Sequence, residues 1–370
     1  MERYSDPDRP LKYSYKSINN SLINAFYSRY WLPYAFKLIP EKMSANLVSI
    51  IGSIGAWVAF LILSGVVAGP MSSVGRRSPW LFGLAALFIF FYHTMDNLDG
   101  MQARRTGSTG PLGEFVDHWF DAFNSFLIPL GIGLAFPVIP PLFVAITTIL
   151  CCVADWFSSR SVRNSGVLKF GPISSEEVLL FTYVFCLAVW AFGYGFWVAP
   201  GPFGLPRVLV VYSVAPIAFL ACIATTFKPS DRPDLPAIML SSIVPIFAWT
   251  ILAQWSSVRY AILAGCLLMG FNAARFAGDV LRDRLVGLEY RGYYVDLIAM
   301  DLLLLACIAV PGLPPWALSA SVAIAFVWTF CALAVQFSRT VARVRETLGQ
   351  GLFGPARGTG TEIEIGRGEA

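Results

Sequence analysis

The chain has 370 residues, of which 56% are apolar and only 14% charged, with a formal net charge of +4. Length alone would accommodate two or three soluble domains, but so few charges cannot cover that much apolar surface in water, and the composition predicts an all-α polytopic membrane protein. The small net charge excludes an electrostatic footprint for nucleic acid, so no nucleic-acid partner is expected.

The first residues, Met1 to Asn20, are polar and charged and lack an apolar h-region, so no cleaved signal peptide is expected. From Ser17 to Pro33, the residues Leu22, Ile23, Phe26, Tyr27, Tyr30 and Trp31 recur at helical spacing. This predicts an amphipathic helix lying in the membrane interface, either a simple anchor or a part of the site. Ten apolar runs then follow that can each cross a hydrocarbon core of ~30 Å. They lie at 45–69, 79–95, 118–137, 139–157, 178–199, 208–227, 235–254, 259–277, 294–311 and 316–337. Pro137, Pro140 and Pro141 separate the third run from the fourth and predict a tight hairpin. Beyond Thr347 the chain is rich in Gly, Arg and Glu and is expected to be a disordered tail.

Placing the N-terminus in the cytoplasm assigns 23 of the 27 Lys and Arg to cytoplasmic segments and leaves four, Arg76, Arg77, Arg207 and Arg259, on the other side. That asymmetry predicts an even number of spans with both termini cytoplasmic. The seven cysteines all sit in apolar runs without metal-ligand spacing and read as small buried hydrophobes.

One stretch breaks the apolar pattern. It reads Asp96-x2-Asp99-Gly100-x2-Ala103-Arg104-x8-Gly113-x3-Asp117-x3-Asp121. Asp96 and Asp99 share one helix face, as do Asp117 and Asp121, and the intervening Gly107, Gly110 and Pro111 permit a compact turn that lets the pairs face each other. A carboxylate at mid-membrane costs about 2.5–3.5 kcal/mol. Arg104 and Arg105 offset part of this, and the remainder favours a cation. A structural salt-bridge cluster is the alternative. Oxygen-only ligands select Mg²⁺ or Mn²⁺, and two such ions ~3.5–4 Å apart clamp a pyrophosphate and stabilise its leaving phosphate.

The stretch resembles the signature of the CDP-alcohol phosphotransferase family, D-x2-D-G-x2-A-R-x8-G-x3-D-x3-D, with every fixed position filled. The resemblance implies that Asp96, Asp99, Asp117 and Asp121 bind a pair of divalent ions. It also implies that Gly100, Arg104 and Gly113 approach the CDP moiety and that Asp121 is a candidate base. Asp99 to Thr106, Pro111 to Glu114, Asp117-His118, Ser44 to Leu47 and Ser165 to Gly171 are similar to the choline/ethanolamine phosphotransferase branch, which also has ten spans. Met101 and Ala45 depart from it, where Lys and Pro are frequent.

That branch implies transfer of phosphocholine or phosphoethanolamine from CDP-choline or CDP-ethanolamine to diacylglycerol, with CMP leaving, and a possible homodimer. Asn46 is then expected to bind the nucleotide. His118, with Glu177 to orient or assist it, is the alternative to Asp121 as base, because imidazole titrates near neutral pH whereas dications weaken a ligated carboxylate as a base. His93 reads as a packed group. Asp301 is expected to pair with Arg275, and Asn272 and Asp296 to join helices. The implied architecture is a segment at 1–44 with the interfacial helix, a six-span catalytic core at 45–227, four more spans at 228–340 and a tail at 341–370. The host membrane is then endoplasmic reticulum or Golgi in a eukaryote and the inner membrane in a bacterium. Competing readings are a CDP-diacylglycerol-dependent phosphatidyltransferase and, from another class, a cation-coupled transporter.

Overall fold

The computed structural model describes residues 16–19, 21–65, 78–165, 167–170, 175–226, 258–286, 294–310, 312, 314–349 and 351–353. The expected span at 235–254 lies outside the described residues. Helices occupy each of the other nine expected spans.

The chain enters through strand β1 (Lys16–Asn19), which pairs in parallel with β2 (Val167–Phe170), Lys16 opposite Val167 and Asn19 opposite Phe170. This is a correction to the expected helix from Ser17. Four residues are too few to show a period, and the partner strand lies far along the sequence. Helix α1 (Leu22–Tyr30) begins only after Ser21, whose Oγ accepts from Asn24 N at 3.1 Å as an N-cap. Phe26 and Tyr30 face outward while Tyr27 is buried, which is the two-sided character of an interfacial helix. A short helix α2 (Leu32–Ala35) and a 3₁₀ turn (Phe36–Leu38) lead to α3 (Ala45–Ser64), capped by Ser44 Oγ accepting from Leu47 N.

Helix α4 (Trp80–Thr106) continues well past the apolar run expected to end at residue 95. Its last three turns are polar, so hydropathy ends before the helix does. Gly107, at φ 64°, stops it in the left-handed conformation, and Ser108 N bonds back to Ala103 O at 2.9 Å. Helix α5 (Pro111–Ala135) starts four residues later with Pro111 in its first turn. The turn is therefore Gly107 to Gly110 alone, and Gly100 and Gly113 lie inside the flanking helices. A hairpin through Pro137 and Pro140 leads to α6 (Pro141–Ser165).

Next come α7 (Ser175–Phe192), α8 (Tyr194–Val198), α9 (Arg207–Tyr212) and α10 (Val214–Thr226). Beyond the undescribed stretch are α11 (Val258–Val286), α12 (Val295–Ala309) and α13 (Pro315–Leu348). Helix α13 reaches past residue 341, with Val344 fully buried, so the ordered chain extends further than the expected tail boundary.

Among the described residues, six helical segments are long and apolar enough to cross a membrane: Ala45–Ser64, Trp80–Thr106, Pro141–Arg163, Ser175–Phe192, Arg207–Thr226 and Ser319–Glu346. Helix α5 is not among them, because its first half carries Glu114, Asp117, His118, Asp121 and Asn124. It is nonetheless central: α3, α6 and α11 all pack on it, and α3 also runs along α4. Phe60, Leu63, Phe82, Phe126, Leu130 and Phe136 fill the space between these helices. Gly52 sets the spacing of α3 from α4, since a Cβ there would come 2.8 Å from Met95 Cβ. The result is an all-α polytopic membrane protein with a minimal parallel strand pair at one end.

Candidate active site

The acidic stretch folds into the antiparallel turn between α4 and α5, so residues late in one helix meet residues early in the next. Asp96 reaches Asp121, and Asp99 reaches Asp117, each pair at hydrogen-bonding distance across the two helices. Ligand oxygens of Asp96, Asp99 and Asp117 all lie within 4.8 Å of one another, and so do carboxylate oxygens of Asp117 and Asp121 and a ring nitrogen of His118. Asp117 belongs to both groups and joins them. Asp99 is buried, while Asp96, Asp117, His118 and Asp121 are half-buried and reachable. Among the described residues no Lys or Arg forms an ion pair with any of the four aspartates. Two carboxylates approach this closely only with a proton or a cation between them. Four carboxylates in two linked triads, with His118 in one of them, fit hard divalent ions, which favour oxygen ligands.

The expected nucleotide-side residues gather at the same end. A Cβ on Gly100 would lie 3.6 Å from Arg104 Nη1, so the exposed Arg104 folds back over that glycine, one residue from Asp99. A Cβ on Gly113 would lie 3.6 Å from Asn46 Oδ1. Asn46, in the first turn of α3, thus faces the start of α5, and its Nδ2 donates to Leu352 O at 2.7 Å.

The other expected residues divide between corrections and agreements. Arg105 does not serve the carboxylates: it donates to Ile39 O at 2.8 Å and Pro40 O at 3.1 Å and stacks on Phe36. Beside it Gln102 donates to Pro40 O, Glu41 O and Met43 O, which fixes the turn before α3 and hence Asn46. Glu177 accepts from Ser21 Oγ at 2.6 Å and Ile23 N at 3.2 Å, which ties the start of α7 to the start of α1. His118 groups with Asp117 and Asp121. His93 is fully buried, its ring centroid 4.7 Å from that of Tyr27. Arg275 pairs with Asp296 at 2.6 Å rather than with Asp301. On α12 these two aspartates are five residues apart and so fall on different faces.

Several site neighbours have no sequence signature. Tyr92 OH donates to Asp121 Oδ1 at 2.9 Å, and Ser49 Oγ donates to Asp99 Oδ2 at 2.5 Å. Asp155 on α6 accepts from Ser125, one turn beyond Asp121 on α5, and lies within electrostatic reach of Asp121. The only available signal was a polar residue inside an apolar run.

An all-α membrane bundle with facing carboxylate pairs at a helical turn defines the class of protein. The sequence profile of the CDP-alcohol phosphatidyltransferase family matches residues 42–200, which contain the whole cluster. The likeness of this chain to the CDP-alcohol phosphatidyltransferase family is carried by that stretch.

It is 31% identical over 194 residues to the uncharacterised CDP-alcohol phosphatidyltransferase class-I family protein 3 of Dictyostelium discoideum, covering 50% of this chain and 46% of that protein. It is 37% identical over 166 residues to an uncharacterised class-I member of Schizosaccharomyces pombe, covering 45% and 38%. It is 35% identical over 182 residues to cholinephosphotransferase 1 of Saccharomyces cerevisiae, covering 46% and 44%. The chain spans about half the length of the curated relatives it matches.

Proposed function

We propose that the protein transfers a phospho-amino-alcohol, phosphocholine or phosphoethanolamine, from the CDP-alcohol to diacylglycerol and releases CMP. The observation that carries this reading is the meeting of Asp96 with Asp121 and of Asp99 with Asp117, in a cluster that no Lys or Arg among the described residues pairs with. Similarity to cholinephosphotransferase 1 of yeast, and to its namesakes in chicken and mouse, supports the choice of donor.

Asp96, Asp99, Asp117 and Asp121 would hold Mg²⁺ or Mn²⁺. When bound, two such ions neutralise a pyrophosphate and the charge that develops on the departing CMP. The chain's own groups do the rest. Arg104, free of the cluster and hinged over Gly100, adds a fixed cation for the phosphates. Gly100 and Gly113 leave room for the nucleotide beside the backbone, and Asn46 offers its amide to it.

The lipid hydroxyl oxygen bonds to the β-phosphorus, the bond from that phosphorus to the CMP oxygen breaks, and the hydroxyl proton passes to a base at this site. The grouping of His118 with Asp117 and Asp121 supports either His118 or Asp121 as the acceptor. Glu177 acts at one remove, anchoring the interfacial helix α1 to the start of α7. Both termini face the cytoplasm, and the protein resides in a phospholipid-synthesising membrane, alone or as a homodimer.

The test is CMP release by the purified protein in detergent with Mg²⁺ or Mn²⁺. CDP-choline, CDP-ethanolamine and CDP-diacylglycerol are offered in turn, each with its own acceptor. The expected result is release with one or both CDP-amino-alcohols and diacylglycerol. Release with CDP-diacylglycerol alone would replace this reading with a phosphatidyltransferase that transfers the lipid half.

A further inference from the structure

Two buried hydroxyls reach into the carboxylate cluster, and neither belongs to its sequence signature. Ser49, 7% exposed on α3, donates to Asp99 Oδ2 at 2.5 Å. The same oxygen lies 3.3 Å from Ala45 O, so the single hydroxyl proton goes to the nearer, charged acceptor. Tyr92, 7% exposed on α4, donates to Asp121 Oδ1 at 2.9 Å. The pattern is regular. Each hydroxyl reaches from one helix to a carboxylate on the next, α3 to α4 and α4 to α5. Each facing pair receives one: Asp99 of the Asp99–Asp117 pair, and Asp121 of the Asp96–Asp121 pair.

The helix that carries Ser49 is itself held. Asn124 on α5, fully buried, donates to Ser53 Oγ at 3.0 Å and accepts from Trp57 Nε1 at 3.1 Å. Ser53 Oγ donates to Ser49 O at 2.9 Å. This polar floor fixes α3 against α5 just beneath the cluster. Gly52 brings α3 close enough to α4 for the Ser49 hydroxyl to span the gap.

We propose that Ser49 and Tyr92 are positioning residues for the divalent ions. Each occupies one oxygen of its carboxylate and stops the group from rotating, so that the remaining oxygens are already aimed into the cluster. The inference rests on the metal-site reading above. Outer-shell hydrogen bonds to ligating groups are worth about 10- to 100-fold in metal affinity, because a pre-aimed ligand loses less freedom on binding.

The test is Mn²⁺ binding to the full-length protein in detergent without nucleotide, followed by the electron paramagnetic resonance signal of free Mn²⁺. The variants are Tyr92→Phe and a matched pair at position 49, Ser49→Thr and Ser49→Val, which have the same shape and differ in the hydroxyl. Tyr92→Phe and Ser49→Val should each raise the Mn²⁺ dissociation constant about 10- to 100-fold, and Ser49→Thr should stay near wild type. Melting curves without metal are recorded for all variants. A lowered melting point with unchanged Mn²⁺ affinity, or Thr and Val behaving alike at position 49, overturns the positioning role while leaving the metal site intact. Absence of Mn²⁺ binding in the wild-type protein overturns the metal site itself, and the inference with it.

Discussion

The bundle holds two groups of buried acids, and they are built oppositely. At the end of α11, Asp279 and Asp283 both meet Arg282, at 3.0 and 3.1 Å. Tyr294 OH and Gln336 Nε2 also donate to Asp279, and Asp296 nearby is paired with Arg275. Each of these charges has its answer inside the chain. Between α4 and α5, four aspartates meet one another and two hydroxyls, with no described cation paired to them. The first group holds helices together. The second has no counter-charge among the described residues, which suits an ion from solution. Buried acidity alone therefore does not mark a site; the missing counter-charge does.

The comparison breaks most visibly on substitution. Asp99→Ala or Asp121→Ala should lower CMP release by more than about 100-fold, beyond what outer-shell changes at metals reach. Asp279→Asn, in the paired group, should retain CMP release and lower the thermal midpoint instead. Parallel assays of activity and melting separate the two outcomes, and loss of activity in both would erase the distinction.

Adding Mn²⁺ sharpens it next. An ion that binds only the folded state at about 100 times its dissociation constant adds about 2.7 kcal/mol. The wild-type protein should melt higher with Mn²⁺ than with chelator, and Asp99→Ala should not respond. A smaller effect belongs to Gln336→Leu. It removes bonds to Trp119 Nε1, Arg275 O and Asp279, and should cost about 1–3 kcal/mol in a denaturation series. Smallest is Tyr27→Phe, which loses the 2.5 Å hydroxyl contact with Tyr183 between α1 and α7. It should cost about 0.5–1.5 kcal/mol, read in the same way.

The four aspartates were legible in the sequence because they are local. Two helical spacings around a glycine turn place them, whatever the rest of the bundle does. Six of the expected spans were legible for a similar reason, since a run of apolar residues needs no partner to be recognised. Contacts between distant segments were not. Ser49 and Asn124 are isolated polar residues in apolar runs, and a serine that bonds its own helix looks the same in sequence as one that reaches a carboxylate.

The Lys16–Asn19 strand was hidden because its partner is at Val167–Phe170. The Arg275 partner was misassigned because choosing Asp296 over Asp301 requires the rotation of α12, which apolar periodicity does not fix in a helix greasy on most sides. Arg105 was grouped with Arg104 by adjacency, yet neighbours on a helix point in different directions, and Arg105 turns to the loop before α3.

The most direct measurement is the number of Mn²⁺ ions held per chain by the purified protein at equilibrium, with wild type and Asp99→Ala side by side. Two ions per wild-type chain, reduced or lost in the variant, is the predicted result. No bound ion in the wild-type protein, in the presence of a CDP-alcohol as well as without it, would contradict the account.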